Sequence, residues 1–150
     1  MKKLRIYVDT SVIGGCFDED FEQESRALIQ MLKRGELEIV ASELLLQELE
    51  SAPEHVKHGL GEIPSENMKA AYITHEAESL RDAYISLKVA GKSQANDALH
   101  VALASVAKVD MIVSWNFKHI VHYDKIRGFN AVNLREGYLP IEIRSPLEVV

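Results

Sequence analysis

The sequence predicts an α/β fold, a three-layer α/β/α sandwich around a central, mostly parallel sheet. Three observations lead there. Short β-rich runs are followed by helical stretches rather than by tight hairpin turns, and strands separated by helices pair in parallel with the helices covering the sheet faces. The 150-residue length suits one compact domain, enough chain to bury a sizeable core. The composition, 47% hydrophobic and 27% charged, is that of an ordinary globular protein rather than a disordered one. Without an internal repeat, low-complexity tract or linker, residues 1–150 are expected to form a single domain.

The elements follow in order. Leu4 to Val8 alternates and is β-rich, so it reads as a strand with Asp9, Thr10 and Ser11 at its carboxyl end. Gly14 and Gly15 mark a loop. A helix is expected from Glu19 to Arg34, with Ala27, Leu28, Met31 and Leu32 on one face and Gly35 as its stop. Leu37 to Ala41 is a second strand. Ser42 is a natural N-cap for a helix carrying Leu44, Leu45, Glu48 and Leu49, which Pro53 limits. Between residues 53 and 68, Pro53, Gly59, Gly61 and Pro64 permit only short helical pieces. Thr74 is expected to cap a helix from His75 to Ala90, closed by Gly91, and Ser93 to cap the next, Gln94 to Ala107, with its Ala-rich packing face. Met111 to Ser114 is a third strand, followed by the turn Trp115 to His119. Beyond it the chain reads as irregular, with a short strand at Ile141 to Arg144.

Composition also excludes function classes. No apolar run reaches the roughly 18 to 20 residues of a membrane span, and Asp9 interrupts the first apolar run too early for a signal peptide. The single cysteine, Cys16, rules out an intramolecular disulfide framework and fits a reducing cytoplasm, the expected location. The net charge of −6 argues at first against nucleic acid. Its distribution is uneven, however: residues 16–80 carry fifteen acids against five Lys or Arg, and residues 81–130 carry seven bases against four acids. The second stretch is suited to phosphate contacts.

In open parallel sheets, ligands sit outside the carboxyl ends of the strands. That rule places Asp9 at the mouth of a site, with the Ser42 helix and the residues from Ser114 to Asn116 entering the same mouth. Taken singly, the acids have ordinary explanations. Asp9 could cap a turn, Glu48 could face solvent from an amphipathic helix, and Asp97 sits where a helix dipole favours an anion. Clustered, they would repel one another and raise each other's pKa unless a cation neutralised them. Mg2+ or Mn2+ is the usual occupant of such an all-oxygen site. The histidines lack zinc spacing. His100, three residues after Asp97, is expected as a packed residue lining the site rather than as a ligand.

Four ordered motifs carry a family resemblance: Val8-Asp9-Thr10-Ser11 after the first strand, Ser42 followed six residues later by Glu48-Leu49, Asn96-Asp97-Ala98-Leu99-His100-Val101-Ala102 opening a helix, and Ile112-Val113-Ser114-Trp115-Asn116-Phe117 after a later strand. Together they resemble PIN domains, in particular the small single-domain kind that includes the VapC-type toxins of toxin–antitoxin pairs. The resemblance implies a PIN-like fold and a Mg2+- or Mn2+-dependent ribonuclease. It implies Asp9, Glu48 and Asp97 as metal ligands, Thr10, Ser11 and Ser114 as supporting hydrogen-bond donors, and Asn116 at a position that is often a fourth acid. Glu43 fits the spacing less well than Glu48. The resemblance further implies RNA as substrate, an antitoxin protein as partner and a homodimer. Lys92, Lys118 and His119, close in sequence to Asp97 and Asn116, are candidates to hold the substrate backbone. The competing reading is a catalytically degenerate PIN-like module that binds RNA or a protein, which Asn116 would favour. A small-substrate phosphohydrolase is disfavoured because no second Asp lies two residues after Asp9. Neither glycine fingerprint of nucleotide binding is present.

Overall fold

The computed structural model describes residues 2–150. Five strands, β1 (Leu4–Val8), β2 (Leu37–Ser42), β3 (Met68–Ala71), β4 (Met111–Val113) and β5 (Glu142–Arg144), form one sheet in the order β3-β2-β1-β4-β5. Every neighbouring pair is parallel. The connecting helices are α1 (Thr10–Gly15), α2 (Glu22–Lys33), α3 (Glu43–Glu50), α4 (Glu54–Lys57), α5 (His75–Ser86), α6 (Ala95–Val106) and α7 (Tyr123–Arg135). No helix is long and apolar enough to cross a membrane among the described residues.

Strand alternation divides the core into two layers. Ile6 and Val8 of β1 face one side, where they join Leu28 and Leu32 of α2, Val12 of α1 and Leu45 of α3. Tyr7 faces the other, among Leu80 and Tyr84 of α5, Leu103 of α6 and Phe129 of α7. The helices therefore cover both faces, as the α/β/α sandwich requires.

The strand order fixes where a ligand can enter. From β1 the chain steps outward to β2 and β3, then crosses back to lay β4 on the other side of β1. Such a reversal opens a crevice at the carboxyl ends of the two strands that flank it. The β1–β4 register aligns Val8 with Val113, so Asp9 and Ser114 emerge side by side at that crevice.

Helix ends explain most of the differences from the sequence reading. Gly35 stops α2 as expected, at φ +75°, with Glu36 N–H donating to Met31 O and Gly35 N–H to Leu32 O, the paired bonds of a Schellman end. The same end closes α5 four residues before the expected Ala90, with Lys88 at φ 63° and Val89 N–H donating to Tyr84 O. Lys88 accepts that backbone because Val89 lodges against α7, where a side-chain Cβ at Gly128 would stand 2.8 Å from it. Ser93 does not cap α6. Its hydroxyl accepts from Gln94 Nε2 at 2.6 Å, and a short 3₁₀ turn, Lys92–Gln94, leads into Ala95.

Three elements went unforeseen. Gly14 and Gly15 lie within α1 rather than in a loop. At Gly15 a Cβ would come within 2.5 Å of Ser25 Oγ and 2.9 Å of Trp115 Nε1, so the glycine lets α1 pack closely there. The edge strand β3 (Met-Lys-Ala-Ala) is half exposed and carries no β-branched residue. Helix α7 occupies the stretch expected to be irregular, where Gly128 and two asparagines lower the helical propensity; its Ile126, Phe129 and Val132 nonetheless pack against the α5–α6 layer.

Candidate active site

Asp9 is the N-cap of α1 and is only 5% exposed. Ser11 Oγ donates to its Oδ1 at 2.5 Å and Ser114 Oγ to its Oδ2 at 2.7 Å. Ser11 also accepts from Trp115 N–H at 2.9 Å, so the two strand-end turns are tied through the carboxylate and its serines.

Glu48 sits near the end of α3, whose N-cap Ser42 accepts from Leu45 N–H at 3.0 Å. Its Oε1 accepts from Thr10 Oγ1 at 2.7 Å and stands 2.6 Å from His100 Nε2. Burial pushes the Glu48 carboxyl up, but the hydrogen bonds from His100 and Thr10 outweigh it and hold the group below the usual glutamate range. Glu43 is engaged elsewhere, accepting from Ile73 N–H at 2.8 Å.

Asp97 lies in the first turn of α6. Its Oδ1 accepts from Asn116 Nδ2 at 3.1 Å. Burial drives its carboxyl above the usual aspartate range; His119 and His100 oppose the shift, while the charges of Asp9 and Glu48 add to it. The three acids thus share one electrostatic environment, although they come from three different elements. Among the described residues, no Lys or Arg pairs with any of them; the imidazole of His100 is the basic side chain that meets one, at Glu48.

Asn116 is oriented by its own turn. Its Oδ1 accepts from His119 N–H at 2.9 Å, its N–H donates to Ser114 Oγ at 2.9 Å, and its amide nitrogen faces Asp97. The side chain therefore presents a donor to the acids, with its oxygen used locally. His119 is near enough to lower the Asp97 pKa. Lys92 and Lys118 are exposed beside the elements that carry Asp97 and Asn116, and neither contacts an acid of the site.

The donor chemistry fits a hard divalent cation. All three groups are carboxylates, and the hydrogen bonds on Glu48 and Asp97 fall on Oε1 and Oδ1, leaving Oε2 and Oδ2 open. Among the described residues, no three Asp, Glu, His or Cys side chains close a coordination sphere by themselves. Mg2+ does not demand that, since it commonly binds through one or two carboxylates and retains its waters.

A family model described as PIN domain matches residues 5–118. The chain belongs to the PIN-domain family. No curated protein matches the chain. PIN domains are typically nucleases that use divalent metal ions and commonly bind RNA, and a nuclease is the general activity to which this PIN domain points. The match ends at Lys118, so α7 and β5 lie outside it, yet β5 extends the same parallel sheet beside β4.

Two residues at this site escaped the sequence reading as participants. Tyr7 Oη lies 2.6 Å from His100 Nδ1 and 2.7 Å from Ser42 Oγ, and Ser42, read only as a helix cap, belongs to the same buried chain. A signal was present: a buried tyrosine needs a partner for its hydroxyl, and Tyr7 sits two residues before Asp9 in an otherwise mostly aliphatic strand.

Proposed function

We propose that this PIN domain is a Mg2+- or Mn2+-dependent endoribonuclease, hydrolysing RNA phosphodiester bonds with Asp9, Glu48 and Asp97 as its metal-binding carboxylates. One observation supports the reading: at the β1/β4 crevice no Lys or Arg pairs with Asp9, Glu48 or Asp97 among the described residues, and burial, with a smaller contribution from the charges of Asp9 and Glu48, raises the Asp97 carboxyl. A bound divalent cation supplies a lowered water pKa and neutralises charge on the phosphoryl oxygens. Ser11, Ser114 and Thr10 fix the carboxylates by donating to Asp9 and Glu48. Asn116 steadies Asp97 through its amide, a role that adds no negative charge and supports one firm metal position. Lys92, Lys118 and His119 hold the substrate backbone in this reading.

The test is Mg2+- or Mn2+-dependent cleavage of an RNA panel by the wild type and by Asp9→Asn and Asp97→Asn. Cleavage by the wild type alone is expected; equal activity in all three proteins sinks the mechanism. The degenerate, binding-only reading has a specific support, an amide at position 116 whose oxygen is already used by His119 N–H. A wild type that takes up no Mn2+ and leaves RNA intact belongs to it. The single domain over residues 1–150, a cytoplasmic toxin role, an antitoxin partner and a homodimer rest on composition and motif resemblance. Solution size measurement tests the dimer, and a monomer at micromolar concentration counts against it.

A further inference from the structure

The buried hydrogen-bond chain at the site begins and ends on the same helix. Ser42 caps the start of α3 and Glu48 lies near its end, six residues and about 9 Å apart along a helix rising 1.5 Å per residue. Tyr7 of β1 and His100 of α6 span that length: Ser42 Oγ to Tyr7 Oη at 2.7 Å, Tyr7 Oη to His100 Nδ1 at 2.6 Å, and His100 Nε2 to Glu48 Oε1 at 2.6 Å. Tyr7 and Ser42 are fully buried and His100 is 2% exposed. The tyrosine and imidazole rings meet edge to face, with centroids 5.6 Å apart, so neither ring can turn without losing contact.

Donor and acceptor chemistry restricts how these bonds can run. Leu45 N–H is an obligatory donor, so Ser42 Oγ accepts from it. The Glu48 carboxylate accepts, so the hydrogen of the 2.6 Å contact sits on His100 Nε2. In the tautomer that leaves Nδ1 without a hydrogen, Nδ1 accepts from Tyr7 O–H, and Tyr7 Oη in turn accepts from Ser42 O–H. Each hydrogen then has a partner, in keeping with the absence of unpartnered buried side-chain polar atoms among the described residues. A hydrogen on Nδ1 would reverse Tyr7, and the Ser42 hydroxyl hydrogen, fully buried, would face only the Tyr7 O–H and the Leu45 N–H.

We infer that Tyr7, Ser42 and His100 are positioning residues that brace α3 at both ends and hold Glu48 by Oε1, so that Oε2 is the atom presented to the metal. The inference rests on the reading of Glu48 as a ligand. It gives a physical reason for the six-residue interval between Ser42 and Glu48: the interval is the length that a tyrosine and an imidazole bridge.

The experiment measures Mn2+ binding by electron paramagnetic resonance for the wild type, Tyr7→Phe and Tyr84→Phe, with ¹⁵N spectra of the wild-type His100 ring. Tyr84 is a matched control, a tyrosine equally buried in the same core layer whose hydroxyl bonds to Asn133. Removing an outer partner of a metal-holding group typically weakens metal affinity by about 10- to 100-fold. That loss is expected for Tyr7→Phe, with Tyr84→Phe unchanged and a hydrogen on His100 Nε2. Equal Mn2+ affinity in wild type and Tyr7→Phe, equal losses in both variants, or a His100 Nε2 without a hydrogen overturns the inference while leaving the proposed activity standing. Should Tyr7→Phe fail to fold, the ring-nitrogen spectrum of the wild type decides alone. A wild type that takes up no Mn2+ removes the reading of the site, and this inference with it.

Discussion

Tyr7 and Tyr84 are both fully buried on the same side of the sheet, and burial pushes both phenols well above their ordinary pKa. Both end in hydrogen-bonded networks that join three elements. The Tyr84 network closes on neutral groups: Tyr84 donates to Asn133 Oδ1, Asn133 Nδ2 donates to Ser105 Oγ at 2.9 Å, and Ser105 Oγ donates to Val101 O at 2.8 Å. It ties α5, α6 and α7 together and reaches the connection after α7, where Asn133 Nδ2 also donates to Leu139 O at 3.3 Å. The Tyr7 network instead ends on an ionised carboxylate at the β1/β4 crevice. Similar side chains, similarly buried, therefore serve different purposes, and the terminus of the donor chain decides which. A closed neutral network contributes stability, whereas one that ends on a charge also fixes where that charge stands.

The largest expected effect breaks the comparison at its charged end. Glu48→Gln should lower RNA cleavage by about 10²–10³-fold, the scale of losing one group that stabilises transition-state charge, while Tyr84→Phe should cleave like the wild type. Similar losses in both proteins would erase the distinction. The converse is Asn133→Ala. It removes the acceptor of the buried Tyr84 hydroxyl and should cost about 1–3 kcal/mol in urea unfolding with Mn2+ affinity intact. A matching loss of Mn2+ affinity would show that the two networks are coupled.

A third prediction compares two carboxylates within the site, in chelator. Burial, with the charges of Asp9 and Glu48, raises Asp97. Its stabilising contribution is present below the ordinary aspartate range near about 3.9 and is lost as pH rises through the raised folded value. Glu48 is lowered despite its burial, so its contribution is present above the ordinary glutamate value near about 4.3 and is lost as pH falls through the lowered one. At neutral pH without metal, Asp97→Asn should melt higher than wild type and Glu48→Gln lower. Melting curves that move in the same direction would contradict the opposed environments. The smallest effect lies outside both networks: Lys92→Gln and Lys118→Gln should each weaken RNA binding a few-fold and reduce the salt slope by about 0.7 per lost phosphate contact. An unchanged slope removes that lysine from the substrate path.

Much of the fold was legible because its signals are local. The strand Leu4 to Val8, the caps at Ser42 and Thr74 and the Gly35 stop rest on alternation, hydroxyl capping and a left-handed glycine, and all were found where expected. Helix α7 and strand β3 were hidden because neither has strong propensity of its own. Gly128 weakens α7 locally but admits Val89 from the neighbouring connection, and β3 is held by pairing with β2. The end of α5 was misplaced for a related reason. A lysine takes the left-handed position there because packing, rather than a glycine, sets where the helix stops.

Asp9, Glu48 and Asp97 could be singled out from the sequence as acids near strand and helix ends, since residue type and spacing are written in the chain. Their mutual environment was not, because it depends on the reversal that lays β4 beside β1 and on α3 and α6 meeting at the same crevice. The sequence alone also determined the Ser42-to-Glu48 interval and the His100 position. Only the tertiary structure joined them through Tyr7, because hydrogen bonds between residues 35 to 93 positions apart form only after three separate elements have packed.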